Sequence, residues 1–338
     1  MKRNRVGMSE FGLIDIIKKR YQTMNKDIIA GIGDDAAVFA IDKTRAGLLT
    51  IDTLVDNVHF DLSYTSFEDL GHKAMAANLS DIAAMGGRPV LAVVSITIPR
   101  DIRLKDIEKL YAGMRKLAKK YGVAICGGDT ISGKQLSLTI AVYGEGRKNN
   151  IGLRSGAKAG DAILVTGSLG ASQAGLDLLI SKINPSTTLR ARNQNTKLFK
   201  KHLRPEPRVK EAQLLASKFK LHGMIDISDG LASELHHLAR ESRVGILIDQ
   251  GALPVADEAI TAANSLKKDP LEYCLYSGEE YELLFTLPAR QAVKAKIILS
   301  RAGTPCSIIG QVIKGNGVRM IGRDLKNVKV PDQGYKHF

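Results

Sequence analysis

The sequence predicts a two-domain chain of the α+β class, and three observations lead there. Its 338 residues are enough for one large domain or for two of ordinary size, each with a sizeable core, and two is the preferred reading. A stretch from Gly144 to Gly160, rich in glycine and basic residues, divides them and gives domains of 1–150 and 151–338. Before that stretch strands and helices are mixed; beyond it they alternate.

Ser9 to Tyr21 predicts a first helix, because Leu13, Ile14 and Ile17 share a face while Lys18, Lys19 and Arg20 suit the dipole at its end. The turn Gly31-Ile32-Gly33-Asp34-Asp35 follows. Leu48 to Thr53 predicts a buried strand with Asp52 and Thr53 at its end, and Asp56 to Phe60 an irregular connection. Ser66 and Asp69 have the spacing of a capping box, opening a helix that reaches Met85 before Gly86-Gly87 stops it. Val90 to Thr97 alternates like a strand. Leu104, Ile107, Leu110, Met114, Leu117 and Tyr121 recur at helical spacing, with Gly122 as the stop. A short strand from Val123 delivers Gly127-Gly128-Asp129-Thr130, and Leu136 to Tyr143 is another.

In the second half, Ala162 to Thr166 predicts a strand, followed by the loop Gly167-Ser168-Leu169-Gly170 and a helix through Leu176 and Leu179. Asn184 to Asn195 is polar enough for a surface loop, and a helix begins at Arg208 after Pro205 and Pro207. Met224 to Ile227 predicts a strand that exits through Ser228-Asp229-Gly230 into a helix with Leu231, Leu235 and Leu238 on its apolar face. Gly245 to Asp249, Tyr281 to Leu287 and Ser307 to Val312 predict further strands, and Gly315-Asn316-Gly317 a hairpin turn.

Composition excludes several classes. Apolar residues make up 44% and charged residues 25%, ordinary globular usage. The longest nearly apolar run, Val90 to Ile98, is far short of the roughly 20 residues that cross a bilayer. The 3 cysteines, Cys126, Cys274 and Cys306, are widely spaced and odd in number, which argues against a disulfide framework or a zinc site and fits a reducing cytoplasm. Lysine and arginine outnumber aspartate and glutamate by 49 to 35, and the resulting +14 favours anionic partners. With no tryptophan, 5% aromatics and scattered basic residues, stacking platforms for nucleic acid are scarce. Phosphorylated small molecules suit the charge equally well.

The chemistry lies in carboxylates. Asp34, Asp35, Asp52, Asp129, Asp226 and Asp229 fall at turns and predicted strand ends, and Asp81 shares a helix face with Asn78. Adjacent like charges need something positive between them. Oxygen-rich, sulfur-free clusters select hard cations, magnesium before zinc, and magnesium is commonly held through carboxylates plus substrate phosphates. No Walker A sequence, no G-x-G-x-x-G and no H-R-D triplet occurs. The Gly167 to Gly170 loop before a helix could offer N–H groups to phosphate.

In order, the motifs G-I-G-D-D-A-A-V (31–38), D-T-L-V-D-N-V-H-F (52–60), N-L-S-D-I-A-A-M-G (78–86), G-G-D-T (127–130), R-S-G-A-K-A-G-D (154–161), H-L-R-P-E-P-R (202–208), D-I-S-D-G-L (226–231) and G-E-E-Y-E-L (278–283) resemble those of the thiamine-monophosphate kinases, down to the terminal His337-Phe338. That family belongs to the aminoimidazole-ribonucleotide-synthetase-like ATP-binding superfamily. The resemblance implies an N-terminal α+β domain whose sheet pairs across a homodimer, and a C-terminal α/β domain closing over the nucleotide. It implies magnesium ligands at Asp35, Asp52, Asp81, Asp129 and Asp226, with Asp34, Thr53 and Asp229 supporting them, and Asp35, Asp52 and Asp129 at the catalytic centre. ATP would be held by Tyr111, Gly128, Asp129, Arg154 and Ser228. His59, Glu279, Glu280 and Tyr335 would face thiamine monophosphate, whereas Glu282 is a surface turn or helix-dipole contact.

The sequence departs from the family pattern at Asp56-Asn57, at Glu234, at Ser277-Gly278-Glu279-Glu280 and at Asp332. The implied reaction carries ATP's γ-phosphoryl group to thiamine monophosphate with several magnesium ions and no general base, because the acceptor phosphate is already ionised. Selenophosphate or aminoimidazole-nucleotide synthesis is the neighbouring alternative. Against the former, the first cysteine is Cys126.

Overall fold

The computed structural model describes residues 10–183 and 196–335. The polar stretch from Asn184 to Asn195 and the terminal His337-Phe338 lie outside the described residues. Among the described residues no helix is long and apolar enough to cross a membrane.

The first half builds a six-stranded sheet from β1 (Ile28–Ala30), β2 (Ala37–Ala40), β3 (Arg45–Val55), β4 (Arg88–Ile98), β5 (Ala124–Ser132) and β6 (Ser137–Arg147), in the order β1-β2-β3-β6-β4-β5. Neighbours are antiparallel except β4 and β5. Helix α1 (Glu10–Tyr21) precedes it, and α2 (Phe67–Ala84) and α3 (Leu104–Tyr121) pack on one face. Ser66 caps α2 as its sequence predicts, accepting from the Asp69 N–H at 3.1 Å, and Gly122 ends α3 at φ 70°.

The two helices cross with backbones almost touching. A Cβ on Gly71 would lie 1.9 Å from the Leu110 carbonyl oxygen, and one on Gly113 would lie 2.0 Å from that of Glu68. No side chain fits at either position.

The second half builds a seven-stranded sheet from β7 (Asp161–Thr166), β8 (Gly223–Asp226), β9 (Gly245–Asp249), β10 (Leu283–Pro288), β11 (Cys306–Ile313), β12 (Gly317–Ile321) and β13 (Asn327–Lys329), in the order β13-β12-β9-β11-β7-β10-β8. Helices α4 (Ala171–Ile183), α5 (Thr196–Leu203), α6 (Val209–Lys218), α7 (Leu231–Ser242), α8 (Asp257–Leu266), α9 (Pro270–Tyr276) and α10 (Ala289–Arg301) surround it. The hairpin expected at Gly315-Asn316-Gly317 does not form. Strand β9 lies between β11 and β12 and pairs in parallel with β12, so the turn carries the chain past an intervening strand.

One apolar core runs through both halves. Leu70, Met75, Leu79 and Ile82 of α2 and Leu138 and Ile140 of β6 join Leu164, Val209, Met224 and Phe285 from beyond residue 150 in a single buried cluster. Helix α2 touches β3, β4 and β6 on one side and α6 and β8 on the other. A helix covered on both sides must be apolar nearly all round. Accordingly residues 70–84 are all buried except His72 and Asp81, and Lys73, its one lysine, is 1% exposed.

A candidate active site between the two sheets

Five carboxylates converge from four segments. Asp34 and Asp35 stand on the turn that begins at Gly33, held at φ 117°. Asp52 comes from β3, Asp81 from the last turns of α2 and Asp226 from the end of β8. Single carboxylate oxygens of Asp35, Asp81 and Asp226 lie within 4.8 Å of one another. Thr50 donates to Asp81 at 2.5 Å, Ser80 donates to Asp226 at 2.5 Å, and the Arg154 guanidinium donates to Asp35 from Nε at 3.0 Å. The Arg154 N–H also reaches Asp34 at 2.7 Å.

This grouping cannot stay fully ionised by itself. Burial raises Asp34 to about 6 despite the Arg154 N–H, and raises Asp52 to about 6 although it shares a hydrogen bond with Asp81. Burial and then the Asp35 charge lift Asp226 to about 8. Asp81 rises well above the carboxylate range through burial and the charges of Asp52, Asp226 and Asp35, and Asp35 rises through burial against the pull of Arg154. Asp35 Oδ2 and Asp226 Oδ1 are buried without a hydrogen-bond partner among the described residues. Orphaned buried oxygens, an all-oxygen donor set and unrelieved repulsion together fit a hard divalent cation.

Beside the cluster opens a cleft of about 750 Å³, a volume suited to nucleotide-sized guests. Asp34, Asp35, Asp52, Thr53, Asp81, Arg154, Ser228, Asp229, His59, Glu279 and Tyr335 all line it. The chain's end is tied to this wall, since the Tyr335 N–H donates to the Asp229 carbonyl at 3.0 Å and the Tyr335 ring lies 6.5 Å from that of His59. Val55 donates its N–H to His59 Nδ1 at 3.1 Å.

Asp129, Tyr111 and Gly128 stand elsewhere, whereas Thr53 reaches the cleft from the opposite face of β3. Asp52 lies inside β3 rather than at its end, and alternation separates it from its neighbour. Asp52, Ile140, Val94 and Gly128 form one cross-strand row on the helix-covered face, and Thr53, Thr139, Ser95 and Asp129 form the next row on the open face. Asp129 is therefore an exposed strand residue, away from the cluster within one chain, and Thr53 Oγ1 sits 2.9 Å from Thr139 Oγ1. Neither Tyr111 on α3 nor Gly128 lines the cleft. A Cβ on Gly128 would come 1.7 Å from the Val94 carbonyl oxygen, so close strand packing explains that glycine.

The glutamate run also divides differently. The backbone is left-handed at Glu279 (φ 59°) and Tyr281 (φ 50°), which breaks strand alternation, and β10 begins only at Leu283. Glu279 faces the cleft. Glu280 turns away into the protein, 1% exposed, and accepts from the Ser172 N–H at 3.1 Å. The N-terminus of α4, a possible phosphate cradle from sequence, is thus filled by a side-chain carboxylate. Burial raises Glu280 to about 7. Glu282 is no surface contact: it is 1% exposed and held by Arg208 at 2.6 Å, Lys201 at 2.8 Å and Thr166 at 2.7 Å. Burial pushes its carboxyl up, but Lys201 and Arg208 outweigh that and hold it below the usual range.

Sequence reasoning missed Lys73, which binds Glu279 at 2.6 Å, and His202 behind it. The one available signal is that Lys73 interrupts an otherwise small and apolar helix face, Leu70, Ala74 and Ala77.

The two halves of this α+β chain match the two domains of the AIR synthase related proteins, the N-terminal domain model over residues 33–147 and the C-terminal domain model over residues 158–323. Within that class the chain belongs to the thiamine-monophosphate kinase family. It is 38% identical to the Bacillus subtilis (strain 168) thiamine-monophosphate kinase over 98% of this chain and 100% of the relative. The structure of AaThiL complexed with AMPPCP and TMP superposes with a TM-score of 0.83 at 34% identity, covering 98% of this chain and 97% of that one. The thiamine-monophosphate kinase of Stenotrophomonas maltophilia K279a superposes at 0.74 and 35% identity, covering 93% and 96%.

Proposed function

We propose that this protein transfers the γ-phosphoryl group of ATP to thiamine monophosphate, giving ADP and thiamine diphosphate, as a magnesium-dependent thiamine-phosphate kinase. The observation that carries the reading is the convergence of Asp35, Asp81 and Asp226 within 4.8 Å beside a cleft that also holds Arg154 and Glu279. Membership of the kinase family, and the AMPPCP and TMP bound by AaThiL, support the choice of substrates.

The acceptor phosphate is ionised near neutrality, with a second pKa of about 6 by analogy with phosphorylated side chains. It attacks without a general base, so the chain's task is to bring two anions together. Asp34, Asp35, Asp52, Asp81, Asp226 and Asp229 would hold magnesium, which supplies neutralisation of the phosphoryl oxygens when bound. Arg154, fixed on Asp35, presents positive charge to the nucleotide, with Ser228 beside it. His59, Glu279 and Tyr335 orient the acceptor at the other end of the cleft.

The open face of the first sheet carries Leu49 (49% exposed), Ile51 (65%) and Ile131 (51%), an apolar surface that a second copy would cover in a homodimer. Asp129 lies on that face, while Gly128 is on β5 and Tyr111 on α3, which packs against β5, so their magnesium and ATP roles are assigned to the assembled dimer; Thr53 reaches the cleft within one chain. A cytoplasmic location, with neither nucleic acid nor membrane as partner, completes the reading. The test is an assay of purified protein with ATP, magnesium and thiamine monophosphate, following ADP and thiamine diphosphate together. Turnover yielding both in equal amounts is expected. ADP without thiamine diphosphate, or no turnover, rejects the assignment.

A further inference from the structure

Lys73 is a buried lysine with every proton assigned. An ammonium group offers three donors and no acceptor. Its Nζ lies 2.6 Å from Glu279 Oε1 and 2.7 Å from Oε2, 3.5 Å from His202 Nε2 and 3.5 Å from the His59 carbonyl oxygen. Because Lys73 can only donate, His202 Nε2 must accept, and the ring proton sits on Nδ1. That proton points toward Ser172 Oγ at 3.2 Å and Glu279 Oε2 at 3.3 Å. Burial, and then the Lys73 charge, push His202 down to about 4, which keeps the ring in this neutral form.

Two consequences follow from this geometry. A side chain 1% exposed with all its donors engaged cannot swing out to grip a phosphate. Glu279 in turn, 27% exposed at the cleft wall, already has a cation against it, so it adds almost no net charge to the cleft. What it still offers is unshared lone pairs in a fixed direction.

We infer that Lys73 is a positioning residue that fixes the Glu279 carboxylate and makes the acceptor end of the cleft read hydrogen-bond donors rather than positive charge. The inference rests on thiamine monophosphate being the acceptor. Its aminopyrimidine amino group is the donor that Glu279 selects, while the thiazolium charge goes largely unread. Lys73 acts only through Glu279, so its loss weakens acceptor recognition and leaves nucleotide recognition alone.

Steady-state kinetics with each substrate varied in turn test this on Lys73→Met, Glu279→Gln and the double variant. Each single change is expected to raise the acceptor KM about ten-fold, the scale of one charge-assisted hydrogen bond, with the KM for ATP held within about two-fold, the ordinary scatter for independent sites. The double variant should match the singles, because both remove one interaction. An acceptor analogue whose amino group is replaced by a carbonyl should lose its disadvantage in Glu279→Gln, and one with an uncharged ring should bind the unsubstituted protein nearly as well as the natural acceptor. A wild-type acceptor KM in Lys73→Met, additive losses in the double variant, or stronger discrimination against the uncharged ring than against the missing amino group would overturn the inference. Should Lys73→Met fail to fold, the double variant, which removes both members of the ion pair together, is compared with Glu279→Gln alone; a further rise in acceptor KM is then the refuting result. No turnover of thiamine monophosphate by the unsubstituted protein would instead overturn the substrate assignment, and this inference with it.

Discussion

Replacing Asp81 by asparagine should stabilise the metal-free protein and abolish its stabilisation by magnesium. Asp81 stands within 4.8 Å of ligand oxygens on both Asp35 and Asp226. At that separation and an effective dielectric of about 20, one pair of ionised carboxylates repels by about 3.5 kcal/mol. Asparagine keeps the shape and can still accept the Thr50 hydroxyl. Without a cation, protonation relieves part of the repulsion, and the pH dependence follows from this. Asp34 and Asp52 stand at about 6 and Asp226 at about 8, all above the ordinary carboxyl value, so the folded chain binds protons more readily than the unfolded one. Stability in chelator is then greatest in acid and declines as the pH rises from the ordinary carboxyl range to about 8. Thermal unfolding in EDTA should place Asp81→Asn above the unsubstituted protein by about 7 °C near pH 9, at about 2 °C per kcal/mol for a chain of this size. The gap should narrow toward pH 6. Magnesium should raise the melting temperature of the unsubstituted protein and leave that of the variant unmoved. A variant less stable in EDTA than the parent would refute the argument that repulsion, held in check only by a cation, dominates this cluster.

Asp52→Asn should lower turnover by orders of magnitude with an unchanged fold by circular dichroism, and a near-normal rate would remove Asp52 from the centre. Turnover should fall in acid with an apparent pKa of about 6, that of the acceptor phosphate; His59→Asn should weaken use of the acceptor yet keep this limb, whose disappearance would make the histidine an acid–base group. Glu282→Gln should destabilise the chain by about 3 kcal/mol in denaturant titration, because it removes the buried charge that Lys201 and Arg208 share and leaves them the longer contacts to Glu280 and Glu211. A cost below about 1 kcal/mol would mean water reaches that ion cluster.

Much of the cluster was legible because its members announce themselves locally. Asp34 and Asp35 follow a glycine that the turn requires, Asp81 shares a helix face that can be counted, and Asp226 ends a short apolar strand. Position along a strand was less legible than its existence. Reading β3 as ending near Thr53 hid the fact that it continues to Val55, so that alternation places Asp52 and Thr53 on opposite faces. The glutamates failed for another reason. Two residues without glycine's freedom adopt left-handed backbone at 279 and 281, a conformation imposed by bonds from their N–H groups to the carbonyls of Ser228 and Ile227, distant in sequence. Lys73 was hidden because only the tertiary fold covers both sides of α2. Local pattern carries chemistry that a segment displays by itself, but not chemistry created when two segments meet.

Helix α2 carries both ends of the cleft on one rigid rod. In the proposed reaction Asp81 would serve the phosphate end and Lys73, through Glu279, the ring end, eight residues apart and hence separated by about 12 Å of helical rise. The rod is gripped from both sides, and at Gly71 its backbone rests against α3 without room for a methyl group. It works as a ruler. The cleft can narrow when other walls move, but the spacing between Asp81 and Lys73 is set by the hydrogen-bonded geometry of the helix. An acceptor one bond longer or shorter between its phosphate and its ring would be measured and found out of register, however well each end matched its own partners.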